Sequence, residues 1–135
     1  MIWVDTGPLV ALCNERDAQH RRALRELDAL PHIERGVCLP VLTEALFLLS
    51  TGYLRKRLEL LFEEGIFELY PLRESEHRVA ECFQWLEDYR EHAPDFADAY
   101  LIVASSAEAA SRVWTFDREF ATVWRMPNGR PVRLA

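Results

Sequence analysis

The chain is poor in lysine, glycine and cysteine, and it has no long apolar run. Lys56 is the only lysine among 16 basic residues, and five residues are glycine. Neither GxxxxGK[ST] nor GxGxxG occurs, which excludes nucleoside triphosphatase and dinucleotide-binding chemistry. GxSxG is also missing, so nothing supports a serine hydrolase. The four histidines, His20, His32, His77 and His92, fall on polar or loop stretches without HExxH-like spacing, which argues against zinc. Cys13, Cys38 and Cys82 are odd in number, far apart and in apolar or helical surroundings, and they read as buried free thiols. No apolar run approaches the roughly 20 residues needed to span a bilayer. The N-terminus lacks the basic segment and cleavage site of a signal peptide, so a cytoplasmic protein with no membrane partner is expected. A basic surplus is absent as well: the formal charge is −6. That opposes a nucleic-acid partner, unless the acids gather around bound cations and leave basic surface elsewhere. The arginines cluster at Arg21, Arg22 and Arg25, around Lys56, and at Arg125, Arg130 and Arg133; solvated helix faces explain such clusters equally well.

What is present is an ordinary globular composition, half hydrophobic and 28% charged over 135 residues, enough for one domain spanning 1–135. The chain is organised around its opening stretch, MIWVDTGPLVAL. Ile2, Trp3 and Val4 form an apolar run without polar alternation, as in a strand buried on both faces of a parallel sheet. Asp5 ends it, and Pro8 falls in the first turn of a following helix. An amphipathic helix is expected at 17–30, a short strand at 37–41 interrupted by Pro40, an apolar helix at 42–50 and another helix at 54–64. A third strand at 66–72 suits a sheet edge. A helix at 74–91 precedes PDFADAYLIVASSAEAAS, whose middle is apolar on nearly every side and must be buried. A fourth strand at 112–116, a short helical turn at 119–123 and a fifth edge strand at 132–134 complete the pattern. Strands alternating with helices predict an α/β fold: one three-layer α/β/α domain around a parallel sheet of about five strands.

Four acids stand apart from those on polar helix faces. Asp5 ends the first strand, Glu44 is read in the first turn of the helix after the second, Asp98 in the first turn of the buried helix, and Asp117 ends the fourth strand. In a doubly wound sheet these positions share one rim. Each acid also has a plainer explanation. Asp5 and Asp117 can cap helices, Asp95 and Asp98 resemble an N-cap pair, and the helix dipole favours Glu44. Capping does not explain why helices so apolar carry acids to one rim, where they repel unless a cation neutralises them. Mg²⁺ or Mn²⁺ is the natural choice for carboxylate ligands.

VDTGPLVAL with Asp5, TEAL with Glu44, DFADAYLIVAS with Asp98 and TFDREF with Asp117 are similar, in kind and order, to the PIN-domain ribonucleases, most closely to VapC-like toxins. The resemblance runs from Ile2 to about Phe120. It implies a parallel sheet between helices and Mg²⁺- or Mn²⁺-dependent hydrolysis of RNA phosphodiesters, with Asp5, Glu44, Asp98 and Asp117 as catalytic metal ligands. Thr6 and Thr115 match positions that support such a site through hydroxyl contacts; Asp95 either joins it or only caps. A small antitoxin occupying the active-site groove and a homodimer are the implied partners, and the apolar helices at 42–49 and 54–62 offer surface for them.

Three other readings remain open at this point. A PIN-like nuclease that is not a toxin would share every motif, and a non-catalytic binding module would share the fold. A phospho-acceptor or phosphatase domain expects a second acid beside Asp5 or a lysine at a late strand end, and the sequence has neither.

Overall fold

The computed structural model describes residues 1–70 and 75–135, with the backbone alone at 75–77. Its strands are β1 (Ile2–Val4), β2 (Arg35–Cys38), β3 (Glu68–Tyr70) and β4 (Arg112–Trp114). The helices are α1 (Thr6–Cys13), α2 (His20–Ala29), α3 (Leu39–Leu48), α4 (Gly52–Glu63), α5 (Ser75–Asp88), α6 (Phe96–Ser106) and α7 (Glu119–Thr122). A 3-10 turn follows α5 at Arg90–His92. The ends expected at Leu72 for the third strand and at Glu74 for the next helix lie outside the described residues.

The sheet order is β3-β2-β1-β4, and every pairing is parallel. β1 is therefore interior and all of it is buried, as its unbroken apolar run requires. The path moves from β1 to β2 to β3 in one direction, then returns past β1 to β4. Right-handed crossovers put α1 to α4 on one face and α5 and α6 on the other. The packing follows this division, with α5 chiefly on α6 and α1 on α2, α3 and α4, while α3 also meets α6. Because the direction reverses between β1 and β4, the crevice beyond their carboxyl ends is where this topology leaves room for a ligand.

Val4, Val37 and Val113 on the strands are fully buried in one core with Leu9 of α1 and Leu101 and Ile102 of α6. α6 buries every residue from Ala99 to Ser105, in line with its apolar sequence. Gly36 has a packing reason, since a β-carbon there would come within 2.8 Å of the Tyr70 ring. Its absence lets Tyr70 meet Trp3 edge to face at 5.7 Å. All three cysteines are free and buried, and burial pushes the Cys38 thiol up to about 12.

Two expectations change. β2 ends at Cys38 and α3 begins at Leu39, so Pro40 occupies the first turn of a helix instead of interrupting a strand. Proline is tolerated there because its missing N–H would have had no helical partner. At the far edge, 132–134 pairs with β4 through a single parallel bridge, Val113 to Leu134, and not as a full strand. Val113 N–H donates to the Arg133 carbonyl at 2.8 Å, and Ala135 N–H donates to the Val113 carbonyl at 2.9 Å. Among the described residues no helix is long and apolar enough to cross a membrane.

Candidate active site

Asp5 follows β1 immediately and is the N-cap of α1, so its carboxylate starts as a local device. One oxygen accepts the Thr6 backbone N–H at 2.7 Å. The other accepts the Thr115 hydroxyl at 2.6 Å, from the residue just past β4. This second bond ties the ends of two adjacent strands together. Asp5 is only 7% exposed, and burial pushes its carboxyl up to about 6. The bonds from Thr115 and Thr6 oppose that rise, while the charges of Glu44 and Asp117 add to it.

Glu44 lies one turn deeper in its helix than the sequence pattern suggests. With α3 starting at Leu39, no acid occupies its first turn. The dipole explanation for Glu44 is lost, because the effect fades beyond the terminal turn. Its Oε2 instead accepts the Thr6 hydroxyl at 2.7 Å. Thr6 and Thr115 thus join Asp5 to its neighbours from opposite sides.

Asp95 and Asp98 form a full capping box at the start of α6. The Asp95 carboxylate accepts Asp98 N–H at 2.8 Å, and Asp98 accepts Asp95 N–H at 3.2 Å. Capping does not take Asp98 out of the rim. Its carboxyl is driven up to about 8, first by burial and the Asp95 charge, and further by Asp5 and Asp117. Asp117 is exposed, with its N–H donating to Thr115 Oγ1 and its carboxylate accepting Glu119 N–H, both at 2.9 Å. Each acid has a hydrogen-bond partner of its own, and the charges of Glu44 and Asp117 act on Asp5 while those of Asp5 and Asp117 act on Asp98.

This donor set is entirely oxygen, which suits Mg²⁺ or Mn²⁺ better than zinc or copper. Among the described residues no three Asp, Glu, His or Cys side chains are already drawn into a metal cage. Thr115 bonds the Asp5 carboxylate, Thr6 the Glu44 carboxylate and the Asp95 N–H the Asp98 carboxylate. The chemistry of the set fits a hard divalent cation.

A family model described as the PIN domain matches residues 2–125. The chain belongs to the PIN-domain family. This PIN domain is similar in fold to VapC20 of Mycobacterium tuberculosis, a sarcin–ricin loop cleaving toxin, with a TM-score of 0.74 and 21% identity over 90% of this chain and 94% of that one. It is also similar to FitAcB from Neisseria gonorrhoeae, with a TM-score of 0.60 and 22% identity over 87% of this chain and 88% of that one. No curated protein sequence matches it significantly.

Two features of this PIN domain escape a reading by motif. An apolar groove of about 630 Å³ runs beside the acids, lined by Leu39, Pro40, Phe47 and Phe96 with Glu44 and Asp95 at its margin. The apolar pattern of residues 42–49 is its signal in the sequence, and core packing explains that pattern equally well. The second is a chain of contacts from α2 to β4. The Trp114 indole N–H donates to Glu26 Oε2 at 2.7 Å, and Glu26 Oε1 accepts Arg22 Nε at 2.9 Å. The Arg22 guanidinium lies over the Phe116 ring, 4.3 Å from its centre.

Proposed function

We propose that this PIN domain is a Mg²⁺- or Mn²⁺-dependent endoribonuclease that hydrolyses RNA phosphodiester bonds, acting as the toxin of a VapBC-like toxin–antitoxin pair. The observation that carries this reading is the coupling of four acids from four separate parts of the fold at one rim, two of them with carboxyls raised to about 6 and about 8. Structural carboxylates are usually held down by cationic partners. These acids meet further acids, an arrangement that a cation relieves. Asp5, Glu44, Asp98 and Asp117 would hold it, and the chemistry supplied on binding is charge neutralisation at the phosphate and acidification of water.

The protein's own residues prepare that chemistry. Thr115 and Thr6 aim the Asp5 carboxylate, and Thr6 also holds Glu44. Asp98 must shed a proton to serve as a ligand near neutral pH, so its field depends on the charge brought beside it. Asp95 acts as a cap and not as a ligand. No side chain is required as nucleophile.

The toxin assignment draws on the likeness to VapC20 and FitAcB. A small antitoxin suits the groove beside Glu44, where Phe47 stands 81% exposed. A homodimer would use the second apolar depression, about 340 Å³ between Leu42 and Leu46 of α3 and Leu58 and Phe62 of α4.

The test is cleavage of a mixed RNA pool by purified protein, with Mg²⁺ or Mn²⁺ and then with excess chelator. Asp5→Asn should reduce cleavage by at least about 100-fold while leaving the circular dichroism spectrum unchanged. Full activity in that variant would sink the assignment.

A further inference from the structure

We propose that Arg22 is a seat for a backbone phosphate of the RNA strand, built at the edge of the acidic rim; this rests on the ribonuclease reading above. Two contacts hold the guanidinium, and a third fixes one of its partners. Its face lies on Phe116, its Nε is taken by Glu26, and Glu26 is anchored in turn by the buried Trp114 indole. Among the described residues neither terminal nitrogen has a protein acceptor. Although the Arg22 side chain stays 43% exposed, the ring and the carboxylate bias its orientation, so it presents two parallel donors at a lower entropic cost than an unpartnered arginine. That geometry matches the two oxygens of a phosphodiester.

The position of the seat supports the assignment. Phe116 lies between Thr115, which holds Asp5, and Asp117. Its side chain also packs beside Gly7, where an added β-carbon would come within 3.6 Å of the Phe116 Cβ and 3.7 Å of the ring's Cδ2. The ring under Arg22 is therefore part of the wall of the carboxylate rim. On α2, Arg21 and Arg25 stand exposed beside Arg22, and Arg118 is exposed just after Asp117. A strand whose scissile phosphate meets the acids passes from a negative pocket to this positive margin. An acidic chain can bind RNA if its positive charge is concentrated where the next phosphate lies.

The experiment uses the full chain carrying Asp98→Asn, so that RNA is bound and not cut. A fluorescein-labelled, mixed-sequence single-stranded oligoribonucleotide is titrated in Mg²⁺ over a series of KCl concentrations. Arg22→Gln keeps a stem over Phe116 and removes the charge. It should weaken binding about fivefold to tenfold and flatten the plot of log K against log salt by about 0.7, the value for one single-strand phosphate contact. Arg22→Lys should recover the slope but not the full affinity. In the otherwise unaltered chain, Arg22→Gln should raise KM with little change in kcat. Binding within twofold and an unchanged slope for Arg22→Gln would overturn the phosphate seat while leaving the nuclease standing. A parent chain that neither binds nor cuts RNA would overturn both.

Discussion

Thr115 uses a single oxygen to hold two acids of the rim. Its only hydroxyl hydrogen goes to Asp5 Oδ2, and its lone pairs accept the Asp117 N–H. Donation to Asp5 favours the ionised carboxylate and works against the burial that holds this acid at about 6. Thr115→Val keeps the shape and removes both bonds. The Asp5 carboxyl should rise by roughly one further unit, since a hydrogen bond to a charged group is worth about 1.5–3 kcal/mol. Because Asp98, at about 8, sets the upper step of the acid limb, the variant should move the lower step up by about that unit and steepen the limb below pH 8, with activity near the parent's above it. A profile that drops uniformly without moving would show that Thr115 does not act through Asp5. This pairing was legible in the sequence only through family resemblance. The two residues are 110 positions apart, and no local periodicity reports a bond of that range.

At the scale of elements, the start of α6 joins two demands on the same residues. Asp95 caps the helix through Asp98 N–H, and its charge is the largest contribution after burial to the rise of the Asp98 carboxyl. Asp95→Ser keeps an N-cap oxygen and removes the charge. The variant should retain cleavage within a few-fold and bind Mg²⁺ at lower pH than the parent, because Asp98 sheds its proton more easily. Loss of cleavage by 100-fold would instead make Asp95 a ligand. The elements themselves were legible where the apolar pattern was continuous, as in β1 and α6, and misplaced where one residue supports two conformations. Pro40 fits a strand exit and a first helical turn equally well, and only packing chose between them. That shift of three residues moved Glu44 out of the dipole's reach. α3 shows a second limit of pattern reading. A largely apolar helix suggests burial, yet α3 leaves Leu39, Phe47 and Leu48 exposed. Helical periodicity cannot separate surface kept for a partner from surface kept for the core.

For the molecule as a whole, the rim is a stability cost that a cation should reverse. Asp5 and Asp98 carry folded-state carboxyls of about 6 and about 8 against an ordinary 3.8. The folded chain therefore holds more protons than the unfolded chain between about pH 4 and pH 8. Its unfolding free energy must fall as pH rises through that window. Above about pH 5.5 most surface carboxylates are already ionised, so the fall from there to pH 8 belongs chiefly to this pair. Because Asp98 is partly in contact with water, the full shift overstates the effect, and about 2–3 kcal/mol is a reasonable scale for the two together. Mg²⁺ binds the deprotonated form, so its affinity should rise about tenfold per pH unit for each proton displaced below the carboxyl's own value. Calorimetric melting in chelator should show Tm declining from pH 5.5 to pH 8. Saturating Mg²⁺ should restore it by an increment that grows with pH and reaches about 2.7 kcal/mol at 100 times Kd. Asp98→Asn keeps the capping oxygen but cannot ionise, so it should melt higher than the parent in chelator at pH 8 and gain much less from Mg²⁺. A parent chain whose Tm is flat over this window and insensitive to Mg²⁺ would mean that these acids are not held in one field, and the metal-dependent reading of the rim would fall with it.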